Sequence, residues 1–218
     1  MTLSFPLSLA AFWDLLPIST LTMDCAPQLE SAGTGAGQVL TRELAPALWR
    51  GTVTLGRLMP DEAAEAMALV DLARQSGASF LMHDLTRPYP ALDPDGLVLG
   101  MSAVTVQAIG ADRRELRLTG LPTNYPLRRG DLVGVTWGAS PVRYGLHRIV
   151  VAASADASGL TGWNEVAPAL PVALIAGASA SLARPPVKAI VVPGSARAGT
   201  LRRGLVEGTT FDFLQTVR

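Results

Sequence analysis

The sequence predicts a mainly β protein, an antiparallel sandwich or barrel with one flanking helix, and three observations lead there. Runs rich in Val, Ile, Thr, Leu and Trp recur between clusters of Gly, Pro, Asn and Asp, the pattern of short strands joined by turns. One stretch alone, residues 60–76, combines helical spacing of apolar residues with start and stop signals at its two ends. Finally, 49% hydrophobic residues against 17% charged over 218 residues provide for a substantial core and exclude a disordered chain.

Along the chain, Leu9 to Leu16 carries apolar residues at helical spacing before Pro17 and predicts one or two helical turns anchored by Phe12, Trp13 and Leu16. Ile18 to Leu29 reads as a strand stopped by Pro27, and Ser31-Ala-Gly-Thr-Gly-Ala-Gly37 as a flexible hairpin loop. Its alternate glycines resemble a phosphate loop only superficially, because no helix follows to aim its amides at an anion. Trp49 to Leu55 is a β run. In the helix 60–76, Pro60 suits the first position, Asp61 and Glu62 the positive end of the dipole, and Gly77 a left-handed cap. Ala63, Met67, Val70 and Ala73 or Arg74 form one stripe that packs on a sheet.

Ser79 to Leu85 is expected to be a strand, followed by a proline-rich connection, Thr86 to Gly96. Further strands are expected over 97–109, 115–118, 131–137 and 142–153, with a turn at Asp156-Ala-Ser-Gly159. A short strand within 165–174, then 181–192 and 205–217, complete the set.

The charge balance excludes a strong pull toward nucleic acid or anionic membranes, since Lys plus Arg equals Asp plus Glu at 18 each. A single cysteine, Cys25, excludes an intramolecular disulfide framework, and two histidines leave no dense Cys/His zinc site. Residues 1–16 lack a basic leader and are too short to span a bilayer, so a soluble, cytosolically made protein without a membrane role is expected.

Chemistry-bearing residues are few. His83 beside Asp84, and His147, suggest an acid/base pair or a metal site, but adjacent strand residues point to opposite faces. Cys25 sits in an apolar segment and reads as an inert buried thiol. No Gly-x-Ser-x-Gly elbow and no His-Glu-x-x-His helix occurs, so the sequence assigns no catalytic residue, no cofactor site and no metal ligand. Trp13, Trp49, Trp137 and Trp163, with Tyr89, Tyr125 and Tyr144, suit core or interface anchors, or a carbohydrate-stacking platform. Arg113-Arg114, Arg128-Arg129 and Arg202-Arg203 each adjoin a turn and could line a channel.

The order of segments resembles the distal tail or minor tail proteins of siphophages and related prophages. The likeness rests on Phe5 to Leu16, Leu48-Trp-Arg-Gly-Thr-Val-Thr-Leu55, the helix with Phe80-Leu-Met-His-Asp84, and Arg87-Pro-Tyr-Pro90. It continues through Leu127-Arg-Arg-Gly-Asp-Leu-Val133, Arg143-Tyr-Gly-Leu-His-Arg-Ile149, Asp156-Ala-Ser-Gly159, Leu182 to Ile190 and Thr210-Phe-Asp-Phe213. That resemblance implies one tail-tube-like β domain over residues 1–218, with 1–45 as an arm or assembly extension. It further implies a non-enzymatic virion protein at the tail tip, forming a homohexameric ring between the tail tube protein and the hub and fibre proteins. The tape-measure protein and DNA would pass through the ring in transit. A receptor- or carbohydrate-binding module of the tail tip is the second expectation, and a small β-rich hydrolase the third.

Overall fold

The structure is a computed structural model that describes residues 4–35 and 37–217; Ala36 of the glycine-rich stretch and the first three residues of the expected arm lie outside them. Among the described residues, twelve strands and one α-helix are arranged as an open antiparallel sheet and a closed antiparallel barrel. The mainly β class with antiparallel sheets and one flanking helix is therefore correct, and the expected barrel is present beside an open sheet.

The open sheet has the order β1 (Ile18–Gly33), β2 (Val39–Leu55), β12 (Leu205–Gln215), β10 (Val187–Val191), β3 (Phe80–Met82), with β11 (Arg197–Arg202) paired to the first half of β12. Its core gathers Phe12, Trp13, Trp49, Phe80, Phe211 and Phe213, all essentially without exposure. The Phe12 and Phe80 ring centroids lie 4.6 Å apart, and Phe211 meets Phe80 edge-on at 6.4 Å. The helix α1 (Pro60–Ala73) closes this core through Ala63, Ala66, Val70 and Ala73, small residues that let it lie close to the sheet. It ends three residues before the expected Ser76. Glu62 accepts a hydrogen bond from the Met59 amide at 2.9 Å, satisfying one free amide at the helix start, and Gly77 takes the left-handed conformation expected of it.

The barrel has the order β4 (Thr105–Ile109), β5 (Glu115–Thr119), β8 (Asn164–Ala167), β7 (Arg143–Val151), β6 (Leu132–Trp137), β9 (Ser179–Ser181). Its interior is a second core, built on Val106, Leu116, Leu118, Val133, Val135, Ile149 and Leu182. Because β3 pairs with β10, and the barrel strands all fall between them in sequence, the barrel leaves and rejoins the sheet at neighbouring strands.

Several expectations are corrected. Pro27 does not stop β1: it sits at a register shift between Ala26 and Gln28 on an edge strand, where a missing N–H costs nothing. The glycine-rich loop is correspondingly short, closing from Thr34 to Gln38. The strand expected from Leu97 begins only at Thr105, because the buried Asp93 carboxylate accepts the Val98 and Leu99 amides at 3.1 and 2.8 Å and winds that segment into turns. The strand expected over 181–192 is two strands, split where Pro185 and Pro186 offer no donors and the chain passes from barrel to sheet. An unexpected strand, β11, forms a hairpin whose two-residue tip, Arg203-Gly204, has positive φ at both positions.

Sheet and barrel are joined by Trp49. Its indole N–H donates to the Leu146 carbonyl on β7 at 2.7 Å, its backbone N–H donates to the Gln215 side chain at 3.1 Å, and the Arg148 guanidinium lies 5.1 Å from its ring centroid. Trp49→Phe keeps the ring but leaves the Leu146 carbonyl without its donor, an expected loss of about 1–3 kcal/mol. Trp49→Ala should cost about 3–5 kcal/mol. Urea unfolding of the two variants checks both the order and the sizes.

Candidate functional site: a cleft beside a projecting ribbon

Strands β1 and β2 pair with each other for their whole length, yet β12 pairs with β2 only from Arg50 to Thr54. The remainder of the hairpin is a two-stranded ribbon that projects from the sheet. Every described side chain in 29–33 and 37–44 is exposed, a tip of about 17 Å at 3.3–3.4 Å per residue. Apolar residues lie on both of its faces, Leu29 and Val39 on one and Ala32 and Leu40 on the other, with Leu44 at the register shift beside Glu43. Val39 is 70% exposed and Leu44 61%. The ribbon thus holds apolar side chains in solvent on both faces.

At the ribbon root lies a cleft of about 800 Å³. One wall is the ribbon itself (Glu43, Ala45 to Leu48), and the other is the mouth of the barrel (Trp137, Gly145, His147) with the segment Pro168 to Ala173. Arg113 secures that segment: its guanidinium donates to the carbonyls of Leu170 (3.4 Å), Pro171 and Leu174 (2.8 Å). The lip beyond is apolar and open, with Val172 87% and Ile175 71% exposed. On β7, Leu146 faces the sheet core while Gly145 and His147, on either side of it, face the barrel. Among the described residues, four buried side-chain nitrogens have no hydrogen-bond partner: Trp13 Nε1 and His83 Nδ1 in the sheet core, and Trp137 Nε1 and His147 Nε2 here. Such orphans are uncommon in protein interiors.

Of the residues that the sequence singled out, His147, Trp137 and Arg113 meet at this cleft, whereas the others are not brought together. His83 is buried against the Trp13 ring, whereas the Asp84 carboxylate turns away to accept the Thr86 amide and hydroxyl at 2.8 and 2.7 Å. His147 belongs to the barrel, with its Nδ1 2.8 Å from the Pro168 carbonyl. Cys25 is half-buried against the sheet core, its thiol pushed up by burial and by Asp24, against a smaller opposing effect of Arg148. Trp13, Trp49 and Trp137 are buried, so they assemble no flat platform for a sugar; Trp163 alone of the four is exposed, with Arg117 over its ring. In the arginine pairs, Arg113 is committed to the lip, Arg129 donates to the Val150 carbonyl at 2.8 Å, and Arg202 and Arg203 stand at the exposed β11–β12 tip. No group of three or more His, Cys, Asp or Glu suited to a metal occurs among the described residues, and none of their helices is long and apolar enough to cross a membrane.

The cleft itself was missed at the sequence level. Its one local signal is the run Pro168-Ala-Leu-Pro-Val-Ala173, apolar side chains in a segment that cannot form a regular strand. No protein-family model matches the chain, and no curated protein matches it. What fold and site define is a two-core β protein that carries a ribbon and a cleft side by side.

Burial lowers the pKa of both histidines to about 4; the Arg184 charge adds to this at His83, while the Pro168 carbonyl partly opposes it at His147. The unfolded chain takes up these protons near pH 6.5 and the folded chain only near 4. Their contribution to stability is therefore complete above pH 6.5 and is lost as pH falls toward 4. Urea midpoints should drop across that window, and His147→Gln should flatten the drop relative to the parent; an equally steep drop in the variant would contradict the assignment.

Proposed function

We propose that this chain is a structural component of a phage tail, a distal tail subunit whose copies form a ring joining the tail tube to the hub or fibre proteins. The observation that carries this reading is the inequality of the two sheet edges. At the β3 edge, Leu7 donates to the Ser79 carbonyl and accepts from the Leu81 amide at 2.8 and 2.9 Å, covering a strand only three residues long. The β1 edge runs for 16 residues and has no partner on its outer side among the described residues. A long open edge invites pairing with other chains unless it is covered, and here three register shifts, Pro27 and the charges of Asp24 and Glu30 interrupt the edge without covering it.

One closed edge and one projecting apolar ribbon suit a head-to-tail contact, which repeats until it closes as a ring or continues as a filament. The count of six comes from the resemblance to siphophage distal tail proteins, as does the position at the tail tip. The proposed role is mechanical: the chain offers strands and apolar surface to neighbours, with the tape-measure protein and DNA passing through the ring. A sugar-binding module would need several exposed aromatic faces, and only Trp163 among the tryptophans offers one.

Light scattering coupled to size exclusion should return the mass of six 22.8 kDa chains, and electron microscopy should show closed six-fold rings. A monomer at every concentration would overturn the reading.

A further inference from the structure

We infer that the cleft beside the barrel mouth is the socket for the ribbon tip of a second copy of this chain. The inference rests on the assembly reading above and specifies which surfaces meet.

The tip cannot fill the cleft of its own chain. Glu43 lines that cleft, so its cross-strand partner Leu29 and the alternate residues Thr41 and Val39 share its face. Arg42 and Leu40, with Glu30 and Ala32 opposite, lie on the reverse face and point away, and Leu44 follows at the register shift between Gln28 and Leu29. That reverse face pairs apolar Ala32 and Leu40 with one acid and one base. Because the ribbon is the cleft wall, a ribbon tip that lies in the cleft belongs to another molecule.

The socket matches in two respects. Its lining includes Leu146, Leu170, Val172 and Val217, apolar counterparts for Leu40 and Leu44. It carries Arg143 and Asp112, neither in an ion pair among the described residues, and the reverse face of the ribbon offers Glu30 and Arg42, which are likewise free of ion pairs. Tip and socket are different surfaces of the same chain, so the contact is heterologous and each copy both gives and receives a ribbon.

The test places one cysteine in the tip and one in the socket. In a Cys25→Ser background, Leu40→Cys and Val172→Cys are combined in one chain and treated with a short bismaleimide, which tolerates a small misregister. The expected product is a ladder on a denaturing gel that extends past the dimer to the ring size, whereas an equal mixture of the two single variants stops at dimers. Leu40→Asp with Leu44→Asp changes only exposed side chains and should keep the parent circular dichroism while weakening self-association on the order of 100-fold. Rings by microscopy without a ladder would overturn the socket and leave the ring. Efficient dimers from Leu40→Cys alone would show tips meeting tips and overturn it too. Monomers with neither ladder nor rings would overturn both this inference and the assembly reading beneath it.

Discussion

Everything in this molecule is arranged around Trp49. It lies on β2 where the hairpin leaves the sheet, in register with Cys25 on β1, and it is wholly buried. With its indole bonded to β7, its backbone amide bonded to Gln215 and Arg148 over its ring, one residue fixes three bodies: the sheet, the barrel and the ribbon. A residue of this size can serve as core on one side and as a hydrogen-bonded bridge on the other, which neither Leu nor Phe can do. The angle of the ribbon, and so the width of the cleft at its root, follows from this anchor.

Two cores in one chain require the crossings between them to be rigid. The barrel departs after β3 and returns at β10, strands that pair directly from Val187 with Met82 to Ala189 with Phe80. Around the crossings, buried carboxylates hold the connecting loops. Asp131, fully buried, accepts the Arg128 and Ala91 amides at 2.7 and 2.9 Å, and Asp93 accepts the Tyr125 hydroxyl at 3.0 Å besides its two amides. Burial alone would raise the Asp93 pKa, but these hydrogen bonds outweigh it and hold the group below its ordinary value. Arg184, just before β10, pairs with Asp14 beside the short 3-10 turn at Trp13–Leu15, tying the returning chain to the N-terminal anchor.

Much of the fold was legible because the signals were local. The helix declared itself through Pro60, Asp61, Glu62 and Gly77, and most strands through alternation between turns. What was not legible depended on partners far away in sequence. Asp93 caps a segment that by composition is a strand; Pro27 is harmless only because β1 lies at an edge; β11, Arg-Ala-Gly-Thr-Leu-Arg, is exposed at every position and has no alternation to detect. For the site, the sequence drew attention to His83, Asp84 and Cys25, which the fold separates. The cleft escaped notice although Arg113, Trp137 and His147 line it, because nothing in the sequence places these three side by side. It exists through the meeting of 43–48 with 137–147 and 168–173, which only tertiary structure brings about.

The position of β12 has a consequence for how the molecule is made. It lies in the interior of the sheet, between β2 and β10, yet it is the last strand of the described chain to emerge. The barrel can close once residue 181 has been synthesised, whereas the sheet stays in two unconnected parts until residues 205–215 arrive. During translation the β1–β2 hairpin is therefore not yet held to the rest of the sheet, and the long-range closure that fixes it comes late. A nascent or truncated chain would lack the anchored ribbon while already having its barrel. The order of synthesis thus leaves the ribbon, which is made first, without its anchor to the rest of the sheet until residues 205–215 have emerged.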